Sequence, residues 1–108
     1  MCVTKESATV ISRQWRGLAR SERANDYIEH LRKDTLPHLQ AVAGFVDASI
    51  LQRTMDNGTE FLVTTRWRSM DAIKAFAGAD PSIAVVPGNV QKMMIEYDKT
   101  ARHYEVVQ

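Results

Sequence analysis

Residues 45–67 read FVDASILQRT, MDNG, TEFLVTTRW: two apolar runs joined across Asn57-Gly58. Asn-Gly between such runs is a strong short-range signal for a β-hairpin, because both residues tolerate the backbone twist a tight turn needs. The runs are therefore expected as antiparallel neighbours. The second run continues as FLVTTRWRSMDAIKAFAGAD, residues 61–80, which reads as a strand, a two-residue break and a helix. Ser69 is an expected N-cap for that helix. Met70, Ile73, Ala75 and Phe76 supply its apolar positions, and Gly78 can end it. Trp67 falls where the strand ends. It either packs the core or forms the wall of a pocket.

On the N-terminal side, ATVISRQWR (8–16) alternates in part, with Thr9, Ile11, Arg13 and Trp15 on one face and Val10, Ser12 and Gln14 on the other. This predicts a first strand that Gly17 stops. Ser21 is expected to cap a helix over ERANDYIEHLRKDTL, with Ala24, Tyr27, Ile28 and Leu31 at helical spacing, and Pro37 to end or kink it. Gly44 opens the strand of residue 45. On the C-terminal side, Pro81 and Pro87-Gly88 bound a short apolar run. VQKMMIEYD then predicts a fourth strand, and HYEVV a strand extension. The order β-α-β-β-α-β is the ferredoxin-like arrangement: an α+β subunit with one four-stranded antiparallel sheet and its helices on one face.

The 108 residues suit one small domain, placed at 8–108, behind a flexible N-terminus of residues 1–7 that holds the single cysteine, Cys2. Fourteen Lys+Arg against thirteen Asp+Glu give a net charge of +1. That balance argues against a dedicated nucleic-acid binder or an anionic-membrane binder, both of which need clustered positive charge. One cysteine cannot form an internal disulfide, and neither an apolar span nor a secretory leader is visible, so the cytoplasm is expected. No His/Cys/Asp/Glu cluster has metal-ligand spacing, and no phosphate loop or nucleophile elbow is present. The expectation is therefore no metal and no cofactor.

Adjacent apolar residues in the strands (Val10-Ile11, Phe45-Val46, Ile50-Leu51, Phe61-Leu62-Val63, Met94-Ile95) point to opposite faces. Two helices cover one face only. A second copy of the chain, sheet against sheet, is the expected cover of the other, giving a homodimer.

RQWRG in strand one, GF opening strand two, TTRWRSMDAIKAFAGAD and the tail MIEYDKTARHYEVV together resemble the antibiotic biosynthesis monooxygenase (ABM) domain family over roughly residues 8–107. The resemblance implies a dimeric α+β barrel of ferredoxin-like subunits. It also implies one of two chemistries: cofactor-independent oxygenation of a polyphenolic anthrone to a quinone, or oxidative heme cleavage. Trp67 matches the strand-three tryptophan of both branches. The heme branch has an Asn early in strand one and a His after the second helix; TVISRQWR and PSIAVVPGNV carry neither, so heme degradation is disfavoured. A shared fold does not by itself fix a reaction.

The candidate site residues follow. Trp67 would stack on a flat aromatic substrate between sheet and helices, with Trp15, Phe61, Tyr97 and His103 as further substrate-binding candidates. Trp15 and His103 also have plain structural readings. Arg13 interrupts the apolar face of strand one. It either snorkels at the barrel rim, the commoner role, or holds an anionic oxygen such as a phenolate. His38, after Pro37, is the candidate base because an imidazole titrates near neutrality. His30, among charges, is expected in solvent, and Tyr27 in the core. The expected function is a monooxygenase-type oxidation of a flat aromatic or polyphenolic molecule with O₂. The alternative is a non-catalytic small-ligand-binding or stress-associated barrel dimer.

Overall fold

The computed structural model describes residues 9–108; the segment 1–7 expected to be flexible, with Cys2, lies outside the described residues. Strand β1 (Val10–Ala19) is central. Strand β2 (Phe45–Met55) and strand β3 (Gly58–Trp67) form the expected antiparallel hairpin, and β3 pairs antiparallel with β1 from Ile11↔Trp67 to Ala19↔Thr59. On the other side of β1, strand β4 (Met94–Tyr97) pairs with Gly17–Ala19 and strand β5 (Arg102–Val106) with Val10–Gln14. The order β2-β3-β1-β4, with β5 prolonging the β4 edge, is the ferredoxin-like sheet with the expected tail extension.

After a 3₁₀ turn at Ser21–Arg23, helix α1 (Ala24–His30) passes through a π-helical turn (Leu31–Thr35) into α2 (Leu36–Gln40). Helix α3 (Met70–Ala77) follows β3, and a short α4 (Gly88–Gln91) precedes β4. Tyr27, Leu31 and Leu39 of the first helical run, and Ala72 and Ile73 of α3, turn inward onto one face of the sheet and are buried. Two apolar clusters result. One holds Tyr27, Leu31, Phe61, Val90 and Met94; the other holds Leu39, Trp67, Ala72 and Ile73.

Local expectations fared unevenly. Ser69 caps α3, its Oγ accepting from the Ala72 N–H at 3.1 Å, and Gly78 ends α3 with φ 101°. Ala72, not Ala75, takes the inward place on that helix. Ser21 makes no cap hydrogen bond. Pro37 does not end the helical run. Proline has no N–H to give the preceding turn, and the run widens just before it: the Leu36 N–H donates to the Leu31 carbonyl, five residues back.

Gly17 does not stop β1. It lies inside the strand, where an added Cβ would come 2.5 Å from the Trp15 ring and 3.0 Å from Met94 Sδ. The hairpin turn is one residue earlier than an Asn-Gly turn: Met55 pairs with Gly58, so Asp56 and Asn57 make the turn, neither with positive φ. Gly58 is needed for close approach instead, since a Cβ there would sit 2.3 Å from the Ala19 carbonyl oxygen.

The outer sheet face is mixed rather than apolar. Leu51 and Tyr104 are 55% and 50% exposed, but Glu60 pairs there with Arg16 and Arg53, and Asp47 with Arg66.

Candidate functional site

Between the inner sheet face and the helices lies a cavity of about 80 Å³. At roughly 10–15 Å³ per water on this measure, it is several waters large. Arg13 and Trp15 of β1 and Val63 and Thr65 of β3 form one wall. Tyr27, His30, Leu31, Thr35 and Leu39 of the first helical run form the opposite one. Phe76 of α3 and the segment Val85–Pro87 with Val90 close the sides. The surroundings are largely apolar with a few polar tips, which is the usual composition of a small-molecule site.

Arg13 is not at the rim. It is 6% exposed, with no carboxylate within ion-pair distance among the described residues. Its Nη1 donates to the Pro81 carbonyl and to His103 Nε2 (2.9 Å), and its Nη2 to the Ile83 carbonyl (3.2 Å). Three of the five N–H donors are thus used. Among the described residues two donors are left, the Nε–H and one on Nη2, enough to meet one anionic oxygen or a carboxylate. Burial lowers the Arg13 pKa from its ordinary value, but a guanidinium stays charged in a protein. The cavity therefore carries a positive charge that no carboxylate among the described residues offsets, a costly arrangement in a low-dielectric setting.

His103 lies beside Arg13 and does not line the cavity. To accept from Arg13 its Nε2 must be bare, so its proton sits on Nδ1. Burial, and then the Arg13 charge, lower its pKa. Through Arg13, β5 and the Pro81–Ile83 segment are tied to the centre of the sheet.

His30 is on the wall rather than in solvent, its side chain 11% exposed. Its Nδ1 is 3.2 Å from Asp34 Oδ2, one helical turn on, and 3.5 Å from Asn89 Nδ2, at the limit of hydrogen bonding. Its ring lies nearly parallel to that of Tyr27, at 16° and 6.5 Å between centroids. Tyr27 is 3% exposed, and burial raises the pKa of its phenol, which makes no hydrogen bond to a described residue. The signal for His30 was in the sequence. It sits between Tyr27 and Leu31 on the apolar stripe of α1, and Asp34 follows at i+4.

His38 is exposed and outside the cavity wall, its ring 5.7 Å from that of Phe76. Leu39 takes the inward place, and the residue before it is turned about 100° around the helix axis. Trp67 is fully buried and also off the wall. Its ring meets Phe45 edge-on (5.3 Å) and stacks on Phe76 (5.7 Å), and its Nε1–H donates to Thr65 Oγ1 at 2.8 Å. Thr65 and Phe76, which both touch Trp67, line the cavity, so Trp67 stands one residue behind its wall. Phe61 is fully buried in the core beside Tyr27. Tyr97 packs on Trp15 at 6.4 Å, behind the wall. Trp15 alone of the expected ring-binding residues lines the cavity, its Nε1–H held by the Asp98 carbonyl at 2.7 Å. Among the described residues, no group of three or more His, Cys, Asp or Glu could hold a metal ion, and no helix is long and apolar enough to cross a membrane.

The antibiotic biosynthesis monooxygenase family model matches residues 11–89. The chain belongs to that family. Solved structures similar to it include a protein of unknown function from Nitrosomonas europaea (14% identity, TM-score 0.69, covering 94% of this chain and 93% of that one). A second is SnoaB, a cofactor-independent oxygenase from Streptomyces nogalater (19% identity, TM-score 0.55, 94% and 93% covered). A third is a heme-degrading protein from Mycobacterium tuberculosis (17% identity, TM-score 0.57, 94% of each chain covered). At these identities the likeness shows the fold, and the family includes monooxygenases and heme-degrading proteins. No curated protein matches the sequence.

Proposed function

We propose that the cavity binds a flat aromatic or polyphenolic molecule and that the protein oxidises it with O₂ without a cofactor. The observation that supports this is Arg13, a buried guanidinium on an apolar cavity wall with no counter-charge among the described residues. An anthrone that loses a proton becomes an electron-rich phenolate or enolate, and a fixed positive charge in a dry site favours that anion. The anion can pass electrons to O₂ directly. The balance needs no outside reductant: the CH₂ carbon becomes a carbonyl, one oxygen atom enters it, and the other leaves as water with the two hydrogens. Trp15 offers the ring face, and Thr65 and Tyr27 offer hydroxyls.

The chain would work in the cytoplasm as a homodimer joined at the outer sheet face, where Leu51 and Tyr104 are exposed. Sedimentation equilibrium tests the dimer; a single-chain mass at micromolar protein would refute it. The heme-degrading branch is not favoured, because strand one has no Asn and residues 79–90 have no His.

The test of the reaction is oxygen uptake on dithranol with no added metal or flavin. Uptake well above the protein-free rate, lost in Arg13→Met, is the expected result. Uptake equal to the blank would sink the oxygenase reading. Quenching of tryptophan fluorescence without uptake would favour a non-catalytic binding protein.

A further inference from the structure

We propose that His30 is the base that takes the ligand's hydroxyl proton, with Asp34 as the positioning residue that sets its tautomer; this rests on the reading that an acidic phenol or enol occupies the cavity. Two geometric facts select His30. It is the one histidine on the cavity wall, and its Nδ1 is committed to a surface carboxylate, Asp34 Oδ2, at 3.2 Å. A neutral imidazole beside a carboxylate keeps its proton on the nitrogen facing that carboxylate. The Nδ1–H therefore points at Asp34, and Nε2, with its lone pair, is the nitrogen left for the cavity.

The step is a proton transfer. The ligand O–H bond breaks, its electron pair stays on oxygen, and the proton goes to Nε2. The new imidazolium is held by Asp34, and the new anion by the unused donors of Arg13. Charge is thus separated between groups already placed to hold it, which a lone imidazole in an apolar cavity could not do.

The groups that bear on the His30 proton are Asp34 on its own helical run, Tyr27 stacked beneath it and Arg13 across the cavity; from α4 comes only the neutral Asn89. Asp34→Asn removes the carboxylate that fixes the Nδ1 proton, so it should lower turnover while leaving ligand affinity in place, a split that a purely structural helix contact would not produce.

The test begins with the ligand-free protein. Long-range ¹H–¹⁵N spectra should show His30 protonated on Nδ1 and bare on Nε2 at neutral pH; the opposite tautomer would overturn the proposal. The chromophoric phenol 4-nitrophenol is then titrated in. Wild type should hold it as the anion at a pH where most of the free phenol is neutral, and Glu29→Gln should do the same. His30→Gln should still bind the phenol, with at least a tenfold smaller anion-to-neutral ratio. Binding of the neutral phenol by wild type, or equal ionisation by His30→Gln, would dismiss His30 as the base and leave the cavity reading standing. No change in tryptophan fluorescence on adding the phenol would dismiss the cavity reading, and the proposal with it.

Discussion

Trp67 and Trp15 both project from the inner face of the sheet, yet their surroundings differ. Around Trp67 the neighbouring rings of Phe45 and Phe76 lie at 5.3 and 5.7 Å, and the indole is fully buried. Around Trp15 the rings of Tyr27 and Tyr97 lie at 6.2 and 6.4 Å, and the indole borders the cavity. Both N–H groups are satisfied, one by Thr65 Oγ1 and the other by the Asp98 carbonyl. The difference is one of filling. Leu39 and Ile73 complete the packing beside Trp67. At the Trp15 end, polar tips from Arg13, His30 and Thr65 meet the space between sheet and helix without closing it. A tryptophan that marks this family's fold and one that touches a ligand need not be the same residue.

The comparison predicts that Trp67→Ala has the largest effect on stability. It should cost about 3–5 kcal/mol, the usual loss for truncating a buried tryptophan, read from urea unfolding. A cost below about 1 kcal/mol would mean that this end of the core is not closed. Gly58→Ala comes next, at about 1–3 kcal/mol, because the atom it meets is the backbone oxygen of Ala19 rather than a movable side chain.

Trp15→Phe should cost only about 1 kcal/mol, chiefly the hydrogen bond to Asp98. It should nonetheless weaken ligand binding several-fold, while Trp67→Phe leaves affinity nearly unchanged at similar stability. The reverse pattern in a fluorescence or calorimetric titration would exchange the two roles.

The smallest effect is a pH slope. Burial and Arg13 depress the folded-state pKa of His103, so the unfolded chain takes up the proton first as pH falls. The contribution of His103 is present above the ordinary histidine value, about 6.5, and is lost on acidification below it. His103→Gln should flatten that limb of the stability profile; an unchanged slope would mean that His103 does not sense Arg13.

Much of the fold was legible in the sequence because its determinants are local. Asn57-Gly58 marked the hairpin, Ser69 and Gly78 marked the ends of α3, and the order of apolar periods gave β-α-β-β-α-β. The two strand glycines misled for one reason. Gly17 and Gly58 are required by close approach, Gly17 to the Trp15 ring and to Met94 on the next strand and Gly58 to the Ala19 carbonyl, and a turn rule does not see such packing.

The site was less legible. Sequence pattern singled out Arg13 as anomalous in an apolar strand, but its burial depends on carbonyls and an imidazole 68 to 90 positions away. His30 read as one more polar residue in a charged helix. Only the packing of α1 on the sheet, with α4 beside it, put the imidazole on a cavity wall opposite that guanidinium. Backbone propensity and apolar period act within a few residues and so are written along the chain. Which side chains share a cavity, and which charge is left without a partner, are set by contacts that exist only once the sheet and helices have closed on one another.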